Sequence, residues 1–149
     1  MNLSYQEKSI WGSMVATIGV FGWYFANTPV FRNDGLTRSG RLGHLVSAVV
    51  LLVIIQIVYQ AVVALKWKAE KKDERDIQIE GKAFRNAYFL LATGALAAMP
   101  AVVIVGEFHQ QGEPHLISPY LAIDILLFFL VAAEIAKSAT QLFYYRRGL

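Results

Sequence analysis

The sequence predicts an all-α integral membrane protein, with four transmembrane helices in two hairpins and both termini in the cytoplasm. Three observations predict it. Hydrophobic residues make up 56% of the chain and charged residues only 17%, against about 25% charged in a soluble domain. The charges are bunched, leaving long windows almost without them, which marks a span rather than a core helix. The cations are also lopsided. Seven of the fourteen Lys and Arg side chains lie in one polar stretch, KWKAEKKDERDIQIEGKAFRNAY (66–88), which separates two pairs of apolar runs. Cysteine is absent, which excludes a disulfide framework and thiol chemistry. The formal charge of +3 gathers beside the apolar runs, so it fits a membrane surface better than nucleic acid.

Met1 to Ser9 is a short polar lead, with Ser4 as a helix cap and Glu7 three residues on. The first span, about 10–30, outlasts the h-region of a signal peptide and has no small-x-small cleavage site, so it reads as retained. Trp11 near one end and Trp23-Tyr24 near the other suit the two interfaces. Gly12, Ala16 and Gly19 share a face on which a second backbone can approach closely. Thr28-Pro29 ends the helix, and Asn33-Asp34-Gly35 reads as a turn. The second span covers about 42–67, with His44 as an interfacial polar residue at its start. Gln56 and Gln60, four apart, share a face turned to a neighbouring helix.

Residues 68–83 form a cytoplasmic interfacial segment. Asp73 is the expected N-cap of a helix that continues into the third span, about 84–105. Asp73, Glu74 and Asp76 crowd the first turn, where the helix dipole favours negative charge. Gly94 and Ala98 make a small-xxx-small pair, and Pro100 is expected to kink the outer half. Gly106 to Ser118 is an exit loop without Lys or Arg. The fourth span, about 119–145, would be about 40 Å long at helical rise, so it should tilt or protrude. Tyr144-Tyr145-Arg146-Arg147 closes it as an interfacial anchor. The chain reads as a single four-helix transmembrane domain, 1–149.

Orientation follows from the cations. Lys8, the seven central ones, Lys137, Arg146 and Arg147 fall on one side, eleven in all; Arg32, Arg38 and Arg41 fall on the other. Eleven against three places both termini in the cytoplasm.

Four groups of residues invite a chemical reading. Asp124, Glu134 and Lys137 lie inside the fourth span, where ionisable groups are rare and face protein or a wet cavity. One reading is a proton or cation path, with Gln56 and Gln60 as further intramembrane polar groups. The plainer one is a Glu134–Lys137 pair at i,i+3 with Lys137 snorkelling, and an Asp near the outer interface. Glu107, His109, Glu113 and His115 cluster in the exit loop and are ligand types for a zinc-like ion. Their spacing matches no defined motif, so an ordinary polar loop with no cofactor is the competing reading. The third group is the central motif Asp73, Glu74, Arg75, Asp76 and Glu80. It either solvates a cytoplasmic turn over anionic lipid or docks a partner. Its mixed signs favour salt bridges, from Asp76 and Glu80 to Arg146 or Arg147, over nucleic-acid binding. His44 is the fourth, read as interfacial rather than as a ligand.

Asp73-Glu74-Arg75-Asp76, followed by Ile79, Lys82, Ala83 and Ala87 at the mouth of a span, resembles a family of small prokaryotic multi-span membrane proteins of unknown function. Members of that family carry a D-E-R motif before an apolar helix. The resemblance covers residues 73–87 and the four-span plan. It implies a bacterial cytoplasmic (inner) membrane and a regulatory or scaffolding role, and it carries no catalytic residues over.

The expected function is therefore association without catalysis, as a homo-oligomer or as an accessory of a membrane or cytoplasmic protein, in contact with the lipid bilayer. The small-residue faces favour this. The alternative is a small proton- or cation-coupled transporter or channel that uses the acids of the fourth span. An enzyme ranks last, because no nucleophile–base pair or phosphate loop is present.

Overall fold

The computed structural model describes residues 5–28, 38–66, 73–110 and 120–147. It is all-helical over these residues. The helices are α1 (Tyr5–Asn27), α2 (Arg38–Lys66), α3 (Glu74–Gln110) and α4 (Leu121–Arg147). Three stretches are long and apolar enough to cross a membrane: Tyr5–Asn27, Gly43–Lys66 and Glu74–Glu107. α4 has the length but is not in that set, and Asp124, Glu134 and Lys137 interrupt its apolar run.

The helix ends have local causes. α1 spans from Tyr5, so residues 5–9 of the polar lead are already helical, with Glu7 in the first turn where the dipole favours an acid. It stops at Asn27, and Pro29 bars Thr28 from the helical region. Asp73 caps α3: its carbonyl accepts the Ile77 N–H at 3.2 Å, and its own N–H donates to the Asp76 carboxylate at 3.1 Å. This is the reciprocal part of a capping box, with Asp at the third position. α4 carries Asp124 in its first turn and Arg146 and Arg147 in its last, each complementing the dipole.

α3 is one continuous helix of 37 residues, about 55 Å at helical rise. It therefore outreaches a hydrocarbon core of about 30 Å. Residues 74–83 of the interfacial segment and the third span are a single rod, as the Asp73 cap implies, and the first five residues expected in the exit loop are its last turn. The helix runs on through Pro100. The Ser4 cap, the Asn33-Asp34-Gly35 turn and the links between helices lie outside the described residues.

Neighbouring helices run antiparallel. α1 packs on α2 and on α4, and α4 packs on α3, giving the lateral order α2–α1–α4–α3. Among the described residues α2 packs on α1 alone. Ser9 meets Gln60 and Ser13 meets Gln56, which fixes the α1/α2 register. Tyr24 meets Asp124 and Trp11 meets Arg146, which fixes α1/α4. Asp76 meets Tyr145 and Asn86 meets Thr140, which fixes α3/α4.

The α3/α4 seam is made mostly of small residues. Ile79, Ala83, Gly94, Ala98 and Ala101 are buried along one stripe of α3. A Cβ at Gly94 would collide with Phe129 Cβ and Cγ, so only glycine allows this approach. At the α1/α2 crossing, a Cβ at Gly12 would collide with the Tyr59 ring, whose hydroxyl donates to the Lys8 carbonyl at 2.6 Å. The apolar core lies toward the other end: Val20, Phe21 and Tyr24 of α1 pack with Ala48 of α2 and Leu127 and Val131 of α4. The outward side of α2 stays apolar and exposed, with Val49, Val50, Val53, Ile54, Ile57 and Val58. An apolar surface of that extent suits lipid, not water.

Candidate functional site

The first residues of α1 and α3 and the last residues of α2 and α4 share one end of the molecule. There the helices part and leave a cleft of about 370 Å³. α4 gives it a floor of Lys137, Ser138, Gln141 and Tyr145. α1 contributes Tyr5, Gln6, Ser9, Ile10 and Ser13, α2 contributes Gln60, and α3 contributes Asp76, Glu80 and Phe84. The sequence brings these together by helical phase. Ser138, Gln141 and Tyr145 recur every three or four residues along α4, as do Gln6, Ser9 and Ser13 along α1, and Asp76 and Glu80 lie four apart on α3. Three polar stripes on otherwise apolar helices converge on one space.

Hydrogen bonds between helices hold the walls. On the α1/α2 side, Ser9 Oγ donates to Gln60 Oε1 at 3.0 Å. Gln56 Nε2 donates to Ser13 Oγ at 2.8 Å, within reach of the reverse bond from Ser13 Oγ to Gln56 Oε1 at 3.1 Å. Gln56 and Gln60 thus face α1, as their shared face requires. On the α3/α4 side, the Tyr145 hydroxyl donates to Asp76 Oδ1 at 2.8 Å. The other Asp76 oxygen takes the Asp73 N–H, so one carboxylate both caps α3 and ties it to α4. The salt bridge expected from Asp76 to the C-terminal arginines is replaced by this phenol. Arg146 lies over the Trp11 ring at 5.7 Å and Arg147 over Phe143 at 4.5 Å. The reason is phase: Tyr145 is on the α4 face that meets α3, and the next two residues rotate away from it by about 100° each.

At the floor of the cleft, the Lys137 ammonium bonds Glu134 at 2.5 Å and lies 5.2 Å from the Phe84 ring centre. The two side chains differ in exposure, 22% for Lys137 and 52% for Glu134. Glu134 continues the Ser138–Gln141–Tyr145 face one turn further along α4, near the helix's midpoint. Asp124 is elsewhere. It is 1% exposed, in the seam between α4 and α1, and accepts a long 3.5 Å hydrogen bond from the Tyr24 hydroxyl. It does not line the cleft.

The central motif divides by role. Asp73 caps, Asp76 bridges, and Glu80 lines the cleft. Glu74, whose N–H donates to Asp73 Oδ1 at 2.7 Å, and Arg75 are exposed. Lys82 lies over the Tyr144 ring at 4.8 Å. Of the exit-loop group, Glu107 is exposed near the end of α3. The side chain of His109, and all of Glu113 and His115, lie outside the described residues. Among the described residues no three His, Cys, Asp or Glu side chains come together as a metal site would need.

Sequence reasoning missed Ser9, Ser13, Ser138, Gln141 and Tyr145 as site residues. A signal existed: polar side chains at helical spacing inside apolar runs. On α1 the small residues drew the attention instead, although Ser9 and Ser13 point into the cleft. Chemically, the cleft offers two carboxylates, a neutralised ammonium, amides, hydroxyls and aromatic rings at the mouth of apolar helices. No protein-family model, no curated protein and no solved structure matches the chain.

Proposed function

We propose that the chain is a small integral protein of a bacterial cytoplasmic membrane, crossing it four times with both termini inside, and that it acts by association rather than catalysis. The cation bias supports the orientation. In it the polar cleft opens to the cytoplasm and the Tyr24–Asp124 seam lies toward the outer face. The resemblance of residues 73–87 to small prokaryotic multi-span proteins supports the compartment.

The observation that carries the association reading is Glu134. A carboxylate 52% exposed at the midpoint of a membrane helix meets lipid, a second protein surface or a wet extension of the cleft, the last being the transport reading below. Lipid is the costly choice even for a paired charge. A second copy, or an accessory partner, that covers this face with polar side chains removes the cost and gains interhelical hydrogen bonds. Chemical crosslinking in native membranes tests it. A single cysteine at Leu130, exposed one turn from Glu134, should crosslink to a second copy or to a stoichiometric partner, and Glu134→Leu should abolish that product. A chain that stays monomeric in nanodiscs and crosslinks to nothing contradicts the reading.

One observation favours a second reading. Lys137 and Glu134 extend the cleft's polar track to mid-helix, which is how a proton- or cation-coupled transporter begins. Reconstituted vesicles with a pH-sensitive dye inside separate the two: substrate-free leak or coupled flux lost in Glu134→Gln supports transport, and its absence supports association.

A further inference from the structure

We propose that an apolar groove along the α1/α4 seam, on the side away from the cleft, seats an acyl chain of an anionic phospholipid whose phosphate lies at Arg146. Two hollows make the groove. The first, about 280 Å³, lies between Trp11 and Met14 of α1 and Ala139, Leu142, Phe143 and Arg146 of α4. The second, about 400 Å³, lies between Ile18, Gly22 and Phe25 of α1 and Phe128, Ala132 and Ile135 of α4. They are in line. Trp11, Met14, Ile18, Gly22 and Phe25 recur every three or four residues along α1, on the face opposite Ser9 and Ser13. Phe128, Ala132, Ile135, Ala139, Leu142 and Arg146 do the same along α4. A Cβ at Gly22 would meet nothing within 4 Å, so the second hollow is open. The Phe25 and Phe128 rings meet edge to face at 5.9 Å and close its far end.

The two ends select the occupant. No polar side chain lines the second hollow, whereas the first ends at a guanidinium, that of Arg146, 5.7 Å from the Trp11 ring centre. Indole gathers at the headgroup level of a bilayer, and a guanidinium matches a phosphate with two parallel N–H donors. A molecule with an anionic head and an apolar tail meets both requirements. Its length fits as well. Half a hydrocarbon core is about 15 Å, the helical rise over the ten residues from Arg146 to Ala136. A chain whose head sits at Arg146 therefore passes through the first hollow and enters the second. This seat depends on α4 crossing the membrane as proposed above, and not on what covers Glu134.

Tryptophan quenching by lipid tests it. The chain has three tryptophans, so Trp23→Phe with Trp67→Phe leaves Trp11 as the reporter beside the first hollow. The protein is reconstituted in phosphatidylcholine containing phosphatidylglycerol or phosphatidylcholine brominated on its acyl chains. Phosphatidylglycerol should quench Trp11 in preference to phosphatidylcholine. Arg146→Gln should cut that preference about fivefold, whereas a general attraction of anionic lipid to the other cations would survive it. Ala139→Leu, which adds bulk to the first hollow at an exposed position, should cut it by a similar factor. Equal quenching by the two lipids, or a preference that either substitution leaves intact, overturns the proposal. Trp23, 58% exposed, is the control, isolated by Trp11→Phe with Trp67→Phe. If both lipids quench Trp23 and neither quenches Trp11, a second protein surface covers the groove and the proposal fails. If neither tryptophan is quenched, the chain lies outside the bilayer, and the membrane reading falls with it.

Discussion

Tyr145, in the last turn of α4, donates a 2.8 Å hydrogen bond to Asp76, in the first turn of α3, across 69 residues of sequence. The bond closes the cleft end of the α3/α4 pair where the small-residue seam begins. Hydrogen bonds to charged groups are worth about 1.5–3 kcal/mol, and water in the cleft should place this one at the low end. Tyr145→Phe should therefore destabilise the protein by about 1.5 kcal/mol. A double-mutant cycle with Asp76→Asn, read by unfolding in detergent, should show the two costs to be less than additive. Full additivity would mean that the two side chains act independently.

The close approach of α3 and α4 depends on Gly94. Gly94→Ala puts a Cβ onto Phe129, and overpacking of this kind costs about 1–3 kcal/mol. A Cβ at Gly19 would have nothing within 4 Å of it, so Gly19→Ala should bring no loss, because helix propensity favours the change. Melting temperatures of the two variants in the same detergent should move in opposite directions or differ clearly; equal melting would contradict the seam.

Asp124 and Tyr24 are 1% and 2% exposed and meet between α1 and α4. Tyr24→Phe removes one long bond and should cost less than Asp124→Ala, which removes that bond and also opens a void in the α1/α4 seam. The comparison is made by thermal unfolding. If Asp124→Ala proves neutral, the pair does not hold the helices together.

Ser13 and Gln56 join α1 to α2 through both side chains. Interhelical polar pairs in membranes average about 0.6 kcal/mol in double-mutant cycles, so Ser13→Ala with Gln56→Leu should show coupling of that order. Because α2 packs on α1 alone among the described residues, the loss should appear first as protease sensitivity of α2, with α3 and α4 unaffected.

Much of this architecture was legible from local chemistry. The apolar runs located the helices, Asp73 marked the start of α3, and the spacing of Gln56 and Gln60 turned them toward a neighbour. What stayed hidden depends on which helices are neighbours. Nothing in the period of α1 says that it sits between α2 and α4, so the meeting of Tyr24 with Asp124 could not be read in advance. Tyr145 lost out to the adjacent arginines because charge is visible in a sequence and helical phase at a seam is not. The continuity of α3 from Asp73 into the third span was legible too; its run past Val105 to Gln110 was not, because Gly106 followed by polar residues reads as the start of a loop.

The central claim is that α4 crosses the membrane in spite of Asp124, Glu134 and Lys137, returning the C-terminus to the side of residues 66–88. The natural absence of cysteine makes the direct measurement simple: single substitutions Ala69→Cys, Gly112→Cys and Leu149→Cys, labelled in intact cells by a membrane-impermeant maleimide. The expected result is labelling from outside at position 112 alone, with 69 and 149 reacting only after permeabilisation. External labelling at 149 with 69 still protected would show that α4 does not cross.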